Sequence, residues 1–231
     1  MKTLLLWDID GTMIRSGDAG MKALRAALKT VFAIDGSLDD IDFAGRTDRW
    51  IVKQIFAKFA LPVTEENIAR YFEGYLATLP VELHNPDARV LPGVVELLRA
   101  AAAHGQIAQG LLTGNLRRGA QAKLAHHGLW EHFAFGAFAD DSELRNDLGP
   151  HALRRAHEHH RVQFEPTRVW IIGDTTHDIA CGKAIGANTL AVATGGHSIE
   201  ILRAHQPTAA IADLTDTAAV LALLSGGEPG A

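Results

Sequence analysis

Three short apolar runs in this chain stop abruptly on polar side chains, and no other feature restricts the fold as much. Leu4-Leu5-Leu6-Trp7 gives way to Asp8-Ile9-Asp10-Gly11-Thr12, Ile107 to Leu112 gives way to Thr113-Gly114-Asn115, and Val169-Trp170-Ile171-Ile172 to Gly173-Asp174. A short run that is apolar at successive positions reads as a strand buried on both faces, and its polar terminus as the edge of a sheet. Between these runs the period changes to that of a helix. Val94, Leu97, Leu98 and Ala101 recur at helical spacing before Gly105, Leu116 to His127 is closed by Gly128, and Leu148 to His160 and Ile179 to Ile185 read as further helices. Phe133 to Phe138, Thr189 to Ala193 and Ala209 to Ala212 are the remaining strand candidates, and the Gly226 to Ala231 tail is expected to fray. The alternation predicts an α/β fold with a parallel sheet, in which strand ends converge on one crevice.

Residues 17–84 interrupt the alternation. They are helical in period and hold no comparable apolar strand. Thr64 is placed to cap a helix whose Ile68, Tyr71, Phe72, Tyr75, Leu76 and Leu79 form one stripe, with Glu65 and Glu66 in its first turn. The expected organisation is a core domain of residues 1–16 and 85–231, with residues 17–84 as an inserted α-helical cap. The insertion leaves after the first strand, so it is expected to lie over that strand's carboxyl end as a lid.

Composition narrows the function. The 231 residues, 47% of them hydrophobic, suffice for a sizeable core. The net charge of -5, with both signs interspersed, supplies neither a basic stripe for nucleic acid nor a polybasic patch for a membrane. Cys181 is the single cysteine, which rules out an internal disulfide, and the apolar start is too short for a signal peptide. A cytoplasmic protein, a monomer or weak homodimer acting on small molecules, is the expectation. His151, His157, His159 and His160 share a segment with Arg154, Arg155, Glu158 and Arg161 and read as a solvated helix face.

Asp8, Asp10 and Asp174, with Asp178 four residues on, would repel one another in a common crevice, and a divalent cation is the simplest way to hold them together. An all-oxygen set without His or Cys favours Mg²⁺ over Zn²⁺. Gly11 and Thr12 permit a sharp turn and offer backbone N–H groups, and Thr113-Gly114 opens a helix whose N-terminus attracts an anion. Each motif alone is an ordinary turn. Their conjunction, in this order after three apolar strands, describes phosphate chemistry.

In these motifs the chain resembles the haloacid dehalogenase-like hydrolase superfamily, specifically its phosphatases with a helical cap after the first motif. The matching stretches are Asp8-Ile9-Asp10-Gly11-Thr12, Thr113-Gly114-Asn115 and Gly173-Asp174-Thr175-Thr176-His177-Asp178. The resemblance implies a Rossmann-like core and a Mg²⁺-dependent phosphatase acting on a small phosphorylated metabolite. It implies that Asp8 is the nucleophile that forms an aspartyl-phosphate, and that Asp10 protonates the leaving alcohol and then activates water. It gives Asp8, the Asp10 main-chain carbonyl and Asp174 as Mg²⁺ ligands. Gly11, Thr12, Thr113, Gly114 and Asn115 become candidates for binding the phosphate. The family's third motif is usually a lysine, whereas the corresponding stretch here is Asp141 to Asp147. Arg145 is the best candidate for that cation, ahead of Arg154 and Arg155. Within the insertion, Arg46 reads either as an anion contact of the lid or as half of an exposed salt bridge, and Asp48 as the cap of the helix containing Ile51 and Ile55. Two alternatives remain open: a β-phosphoglucomutase-like phosphosugar mutase with the same core residues, and a non-catalytic protein that binds a phosphorylated ligand.

Overall fold

In the computed structural model, which describes residues 2–226, all five residues of β1 (Thr3–Trp7) are buried. A two-residue strand, β2 (Ile14–Arg15), precedes the helices α1 (Ala19–Phe32), α2 (Asp48–Lys58) and α3 (Glu65–Glu82), and a second two-residue strand, β3 (Arg89–Val90), follows them. The chain then alternates through α4 (Val94–Ala103), β4 (Ile107–Leu112), α5 (Arg117–His126), β5 (Gly136–Ala137), α6 (Leu148–His160) and β6 (Val169–Gly173). It ends with α7 (Thr176–Ala184), β7 (Asn188–Val192), α8 (Ile199–Ala204), β8 (Ala209–Ile211) and α9 (Thr217–Ser225). The main sheet runs β5-β4-β1-β6-β7-β8 with every pairing parallel, as the alternation requires. The tail, from residue 227 on, lies outside the described residues.

The pleat of β1 explains the two layers around it. Leu5 and Trp7 face one side, packing with Leu97 and Leu98 of α4, Leu124 of α5 and Leu224 of α9. Leu4 and Leu6 face the other, with Leu148 and Ala152 of α6 and Cys181 of α7. Each of these four strand side chains is fully buried, a gain of about 1.5 to 3 kcal/mol apiece over exposure for the leucines, so a one-residue slip of β1 is heavily penalised. In the fixed register Trp7 lies opposite both Leu111 and Ile172, which brings the three polar termini side by side.

Two local features differ from the pattern in the sequence. Only Gly136 and Ala137 of the 133–138 run pair as a strand, because Phe133 and Phe138 turn inward to fill the core beside Trp7. The ribbon of β2 and β3 has two residues per strand, too few for any periodicity to register. It joins the outgoing and returning ends of the insertion, with Ile14 opposite Val90 and Arg15 opposite Arg89. Asn85 Nδ2 reinforces the junction by donating to Ser16 O at 3.0 Å.

The inserted helices share a core of their own, in which Leu24, Leu28, Ile55, Phe56, Tyr71, Tyr75 and Leu79 are buried. Thr64 caps α3 by accepting from Asn67 N, and Tyr71 donates its hydroxyl proton to Leu24 O at 2.7 Å, tying α3 to α1. Leu116 and Ala139, from beyond the insertion, join this cluster. Among the described residues no helix is long and apolar enough to cross a membrane.

Candidate active site

Asp8 ends β1 and is buried at the sheet edge. Its carboxylate lies 3.1 Å from Arg145 Nη2, and Arg145, itself only 7% exposed, also binds Asp178 Oδ1 at 2.5 Å and donates from Nη1 to Gly45 O at 3.2 Å. Burial pushes the Asp8 carboxyl up to about 6, more than the Arg145 charge draws it down. Arg145 keeps its charge, since two carboxylates outweigh its desolvation. It thus stands where the third-motif cation was expected. Arg155 instead binds Asp141, and Arg154 pairs with Glu158 on the outer face of α6.

Asp10 faces a different set of partners. Lys123 Nζ reaches Asp10 Oδ2 at 2.6 Å and Asn115 Oδ1 at 2.6 Å, while Asn115 Nδ2 donates to Asp10 Oδ2 at 2.8 Å and to Thr113 Oγ1 at 2.9 Å. Burial alone would raise Asp10, but the Lys123 charge and hydrogen bond, with help from Asn115, hold its carboxyl below the ordinary range. Sequence reasoning missed Lys123. Its signal was a lysine on the inward stripe of α5, three residues after buried Ala120 and one before buried Leu124.

Asp174 follows β6 and meets Asp8 and Asp178, with one oxygen from each of the three within 4.8 Å of the others. Burial, then repulsion from Asp8 and Asp178, drives the Asp174 carboxyl well above its usual range. Its seat is closely cut. A Cβ on Gly11, whose φ is +78°, would fall 2.4 Å from Asp174 Oδ2, and one on Gly195 would fall 1.6 Å from it. A buried, oxygen-only, mutually repelling set fits a hard divalent cation such as Mg²⁺. Asp178 is already engaged: its Oδ2 accepts from Thr175 N and Thr175 Oγ1 in the capping box of α7, and its Oδ1 takes Arg145. The side chain of Asp10 points to Lys123, so its carboxylate is not part of the cluster, in keeping with a ligand role for its main-chain carbonyl alone.

Several donors expected for an anion are committed elsewhere. Gly11 N donates to Ile14 O at 2.8 Å and Thr12 N to Ile9 O at 3.3 Å, and the Thr12 hydroxyl donates to Asp174 Oδ1 at 3.0 Å, orienting that carboxylate. The helix after Thr113-Gly114 begins only at Arg117, and its end is met by the protein's own carboxylates. Leu116 N donates to Asp48 Oδ2 at 2.7 Å and Arg117 N to Asp140 Oδ2 at 2.6 Å. Asp48 is therefore not the cap of α2. Thr47 holds that position, accepting from Trp50 N, while Asp48 occupies the first helical turn and clasps the Gly114 to Leu116 segment, its own N donating to Gly114 O at 2.7 Å. Arg46 pairs with Asp42 at 3.3 Å and its guanidinium lies 4.3 Å over the Trp50 ring.

These groups line one cavity of about 390 Å³ beneath the inserted helices. Asp8, Asp174 and Arg145 are at one end with Thr113, Gly114 and Asn115, and Met21, Leu24, Phe43, Ile51 and Tyr75 form an apolar wall. A chain with this constellation can bind a small anion beside a nucleophilic carboxylate and a proton-bearing pair.

The family model for haloacid dehalogenase-like hydrolase matches residues 5–183. A relative from Dickeya dadantii (strain 3937) named "Probable phosphatase IndB" is 27% identical over 209 residues, 90% of this chain and 88% of its own. Among solved structures, a hydrolase from Pseudomonas syringae superposes with a TM-score of 0.75 at 20% identity, covering 97% of this chain and 100% of that one. A predicted phosphoglycolate phosphatase from Haemophilus somnus 129PT superposes with a TM-score of 0.72 at 18% identity, covering 95% and 98%. These two likenesses speak to the fold.

Proposed function

Because the chain belongs to the haloacid dehalogenase-like hydrolase family, we propose that it is a Mg²⁺-dependent phosphatase acting on a small phosphorylated metabolite through an aspartyl-phosphate at Asp8. The observation that carries this reading is the presence, two residues apart in one cavity, of two carboxylates in unlike surroundings: Asp8 beside Arg145 and Asp174, Asp10 beside Lys123. In the first displacement an Asp8 oxygen attacks phosphorus and the bond to the leaving alcohol oxygen breaks. In the second, water attacks the same phosphorus and releases the carboxylate and inorganic phosphate. Asp10, held ionised by Lys123, is set to take a proton from water in the second step, and the Lys123 ammonium, 2.6 Å from it, is the proton source for the leaving oxygen in the first.

Arg145 orients Asp8 and contributes fixed positive charge, which is where positioned groups help phosphoryl transfer most. Thr113, Gly114 and Asn115 border the phosphate end of the cavity and are the proposed contacts for its oxygens. Asp8, Asp174 and the Asp10 main-chain carbonyl would hold Mg²⁺, with Asp178 steering Arg145 from behind; when bound, the ion supplies charge neutralisation for the attacked phosphoryl group. Residues 17–84 are read as the cap that roofs the cavity and excludes bulk water, with Arg46 on its rim.

The test uses 4-nitrophenyl phosphate and a panel of phosphorylated metabolites. Turnover is expected to vanish in excess EDTA, to return with Mg²⁺, and to be abolished in a folded Asp8→Asn variant. Full activity in chelator, or near-wild-type rates for Asp8→Asn, overturns the scheme.

A further inference from the structure

Where the inserted helices line the cavity, two polar side chains keep hydrogen-bonding capacity that the protein itself does not use. Tyr75 is only 1% exposed and lines the cavity, yet among the described residues its hydroxyl has no hydrogen-bond partner. Asp48 is buried and lines the same cavity; one of its oxygens accepts from Leu116 N, and among the described residues no donor reaches the other. A hydroxyl that opens onto a cavity without a protein partner is free to bond a ligand group there.

The charges on this side decide what the ligand group is. Lys123 is occupied by Asp10 and Asn115, and Arg46 by Asp42 and the Trp50 ring. Asp48 and Asp18 line the cavity and make no salt bridge among the described residues, and the Lys123 charge that Asp48 feels is bound to Asp10. A second anion on the substrate would meet carboxylates here, whereas a hydroxyl or ammonium would meet acceptors. The apolar remainder, Met21, Leu24 and Ile51, leaves room for a short carbon chain.

Resting on the phosphatase reading, we propose that the alcohol portion of the substrate is short and carries a hydrogen-bond donor, a hydroxyl or ammonium, received by the Asp48 carboxylate and the Tyr75 hydroxyl, and that it carries no second anion. Asp48 and Tyr75 are then specificity-determining residues of the cap, and Arg46 is a structural one.

The experiment compares kcat/KM, with Mg²⁺ present, for propyl, 2-hydroxyethyl, 2-aminoethyl, carboxymethyl and 4-nitrophenyl phosphates. The 2-hydroxyethyl or 2-aminoethyl ester is expected to exceed propyl phosphate by roughly tenfold or more, the free energy of one well-made buried hydrogen bond, and carboxymethyl phosphate to be the poorest alkyl ester. The stronger of the two donor esters identifies whether hydroxyl or ammonium is read. Tyr75→Phe, which keeps the ring packing, is expected to collapse the ratio of donor ester to propyl ester toward one. Asp48→Asn is expected to relieve the discrimination against carboxymethyl phosphate. Preference for carboxymethyl phosphate, no preference among the alkyl esters, or a preference that survives Tyr75→Phe overturns the inference and leaves the phosphatase reading standing if 4-nitrophenyl phosphate is hydrolysed. Inertness of all five esters overturns the phosphatase reading and the inference with it.

Discussion

Lys123, 5% exposed and bound to both Asp10 and Asn115, has no freedom beyond holding them. Lys123→Met keeps the length and apolar stem while removing the charge, and leaves the part-exposed Asp10 carboxylate with Asn115 as its remaining partner, at a cost of about 1 kcal/mol. A lowered melting temperature is therefore expected. If the lysine also serves proton transfer, kcat/KM should fall further for alkyl phosphates than for 4-nitrophenyl phosphate, whose leaving group needs no proton. Equal losses on both substrates would make Lys123 a packing residue. Asp48 has a separate signature. Its carboxyl titrates at about 6 because it is buried, against an ordinary 3.8. The folded protein thus binds this proton more tightly than the unfolded chain. Below about pH 4 both states are protonated and the residue costs nothing; as pH rises through 6 the full penalty, on the order of 3 kcal/mol, develops. Asp48→Asn retains an acceptor for Leu116 N and escapes that penalty. Its stability relative to wild type, from urea denaturation in chelator, should increase between pH 4.5 and 7.5, and a flat difference would refute the assignment.

At the level of elements, the loop after β7 matters through what it lacks. Gly195 has no positive φ, so alanine there costs the backbone nothing, but its Cβ would fall 1.6 Å from Asp174 Oδ2. Displacing a ligand-bearing carboxylate typically lowers metal affinity or activity by about 10- to 100-fold. Gly195→Ala should lose activity and Mg²⁺ affinity on that scale, whereas Gly196→Ala, with no atom within 4 Å of its Cβ, should not. Retention of both properties by Gly195→Ala would remove Asp174 from the metal site. The contrast between elements also explains what the sequence discloses. β1 and β6 were readable because strands buried on both faces must be apolar throughout, β4 because its buried end, Leu111-Leu112, stops on Thr113, and α3 because its stripe and its Thr64 cap agree. The ribbon was not, since two-residue strands carry no period, nor was the shortness of β5, since inward-turned phenylalanines look like strand residues. That Asp8 and Asp174 would meet at one edge followed from motif order, and Arg145 was named only through the resemblance. The commitments of Gly11 N, Thr12 N and Leu116 N were not, because backbone groups leave no trace in residue identity.

For the molecule as a whole, the sheet edge and the helices of residues 17–84 each supply part of the cavity's lining. Asp8, Asp174 and Arg145 belong to strand ends and loops of the sheet side, while Tyr75, Asp48, Ile51 and Leu24 come from the insertion. Polar contacts join the two sets, among them Asp48 with Gly114 and Leu116, Thr47 Oγ1 donating to Glu143 O at 2.5 Å, and Arg145 with Gly45 O. The seating of the insertion is thus linked to the segments that border the phosphate end. The ribbon of β2 and β3 has an independent effect. With Arg15 directly across from Arg89, the chain departs and returns at points about 5 Å apart. Between ends pinned so closely, excursions of very different length are nearly equivalent energetically, since doubling a flexible loop costs only about 0.6 kcal/mol. Evolution can therefore refit the roof without disturbing the foundation: one sheet edge can acquire a new covering by exchanging what is threaded between two neighbouring arginines.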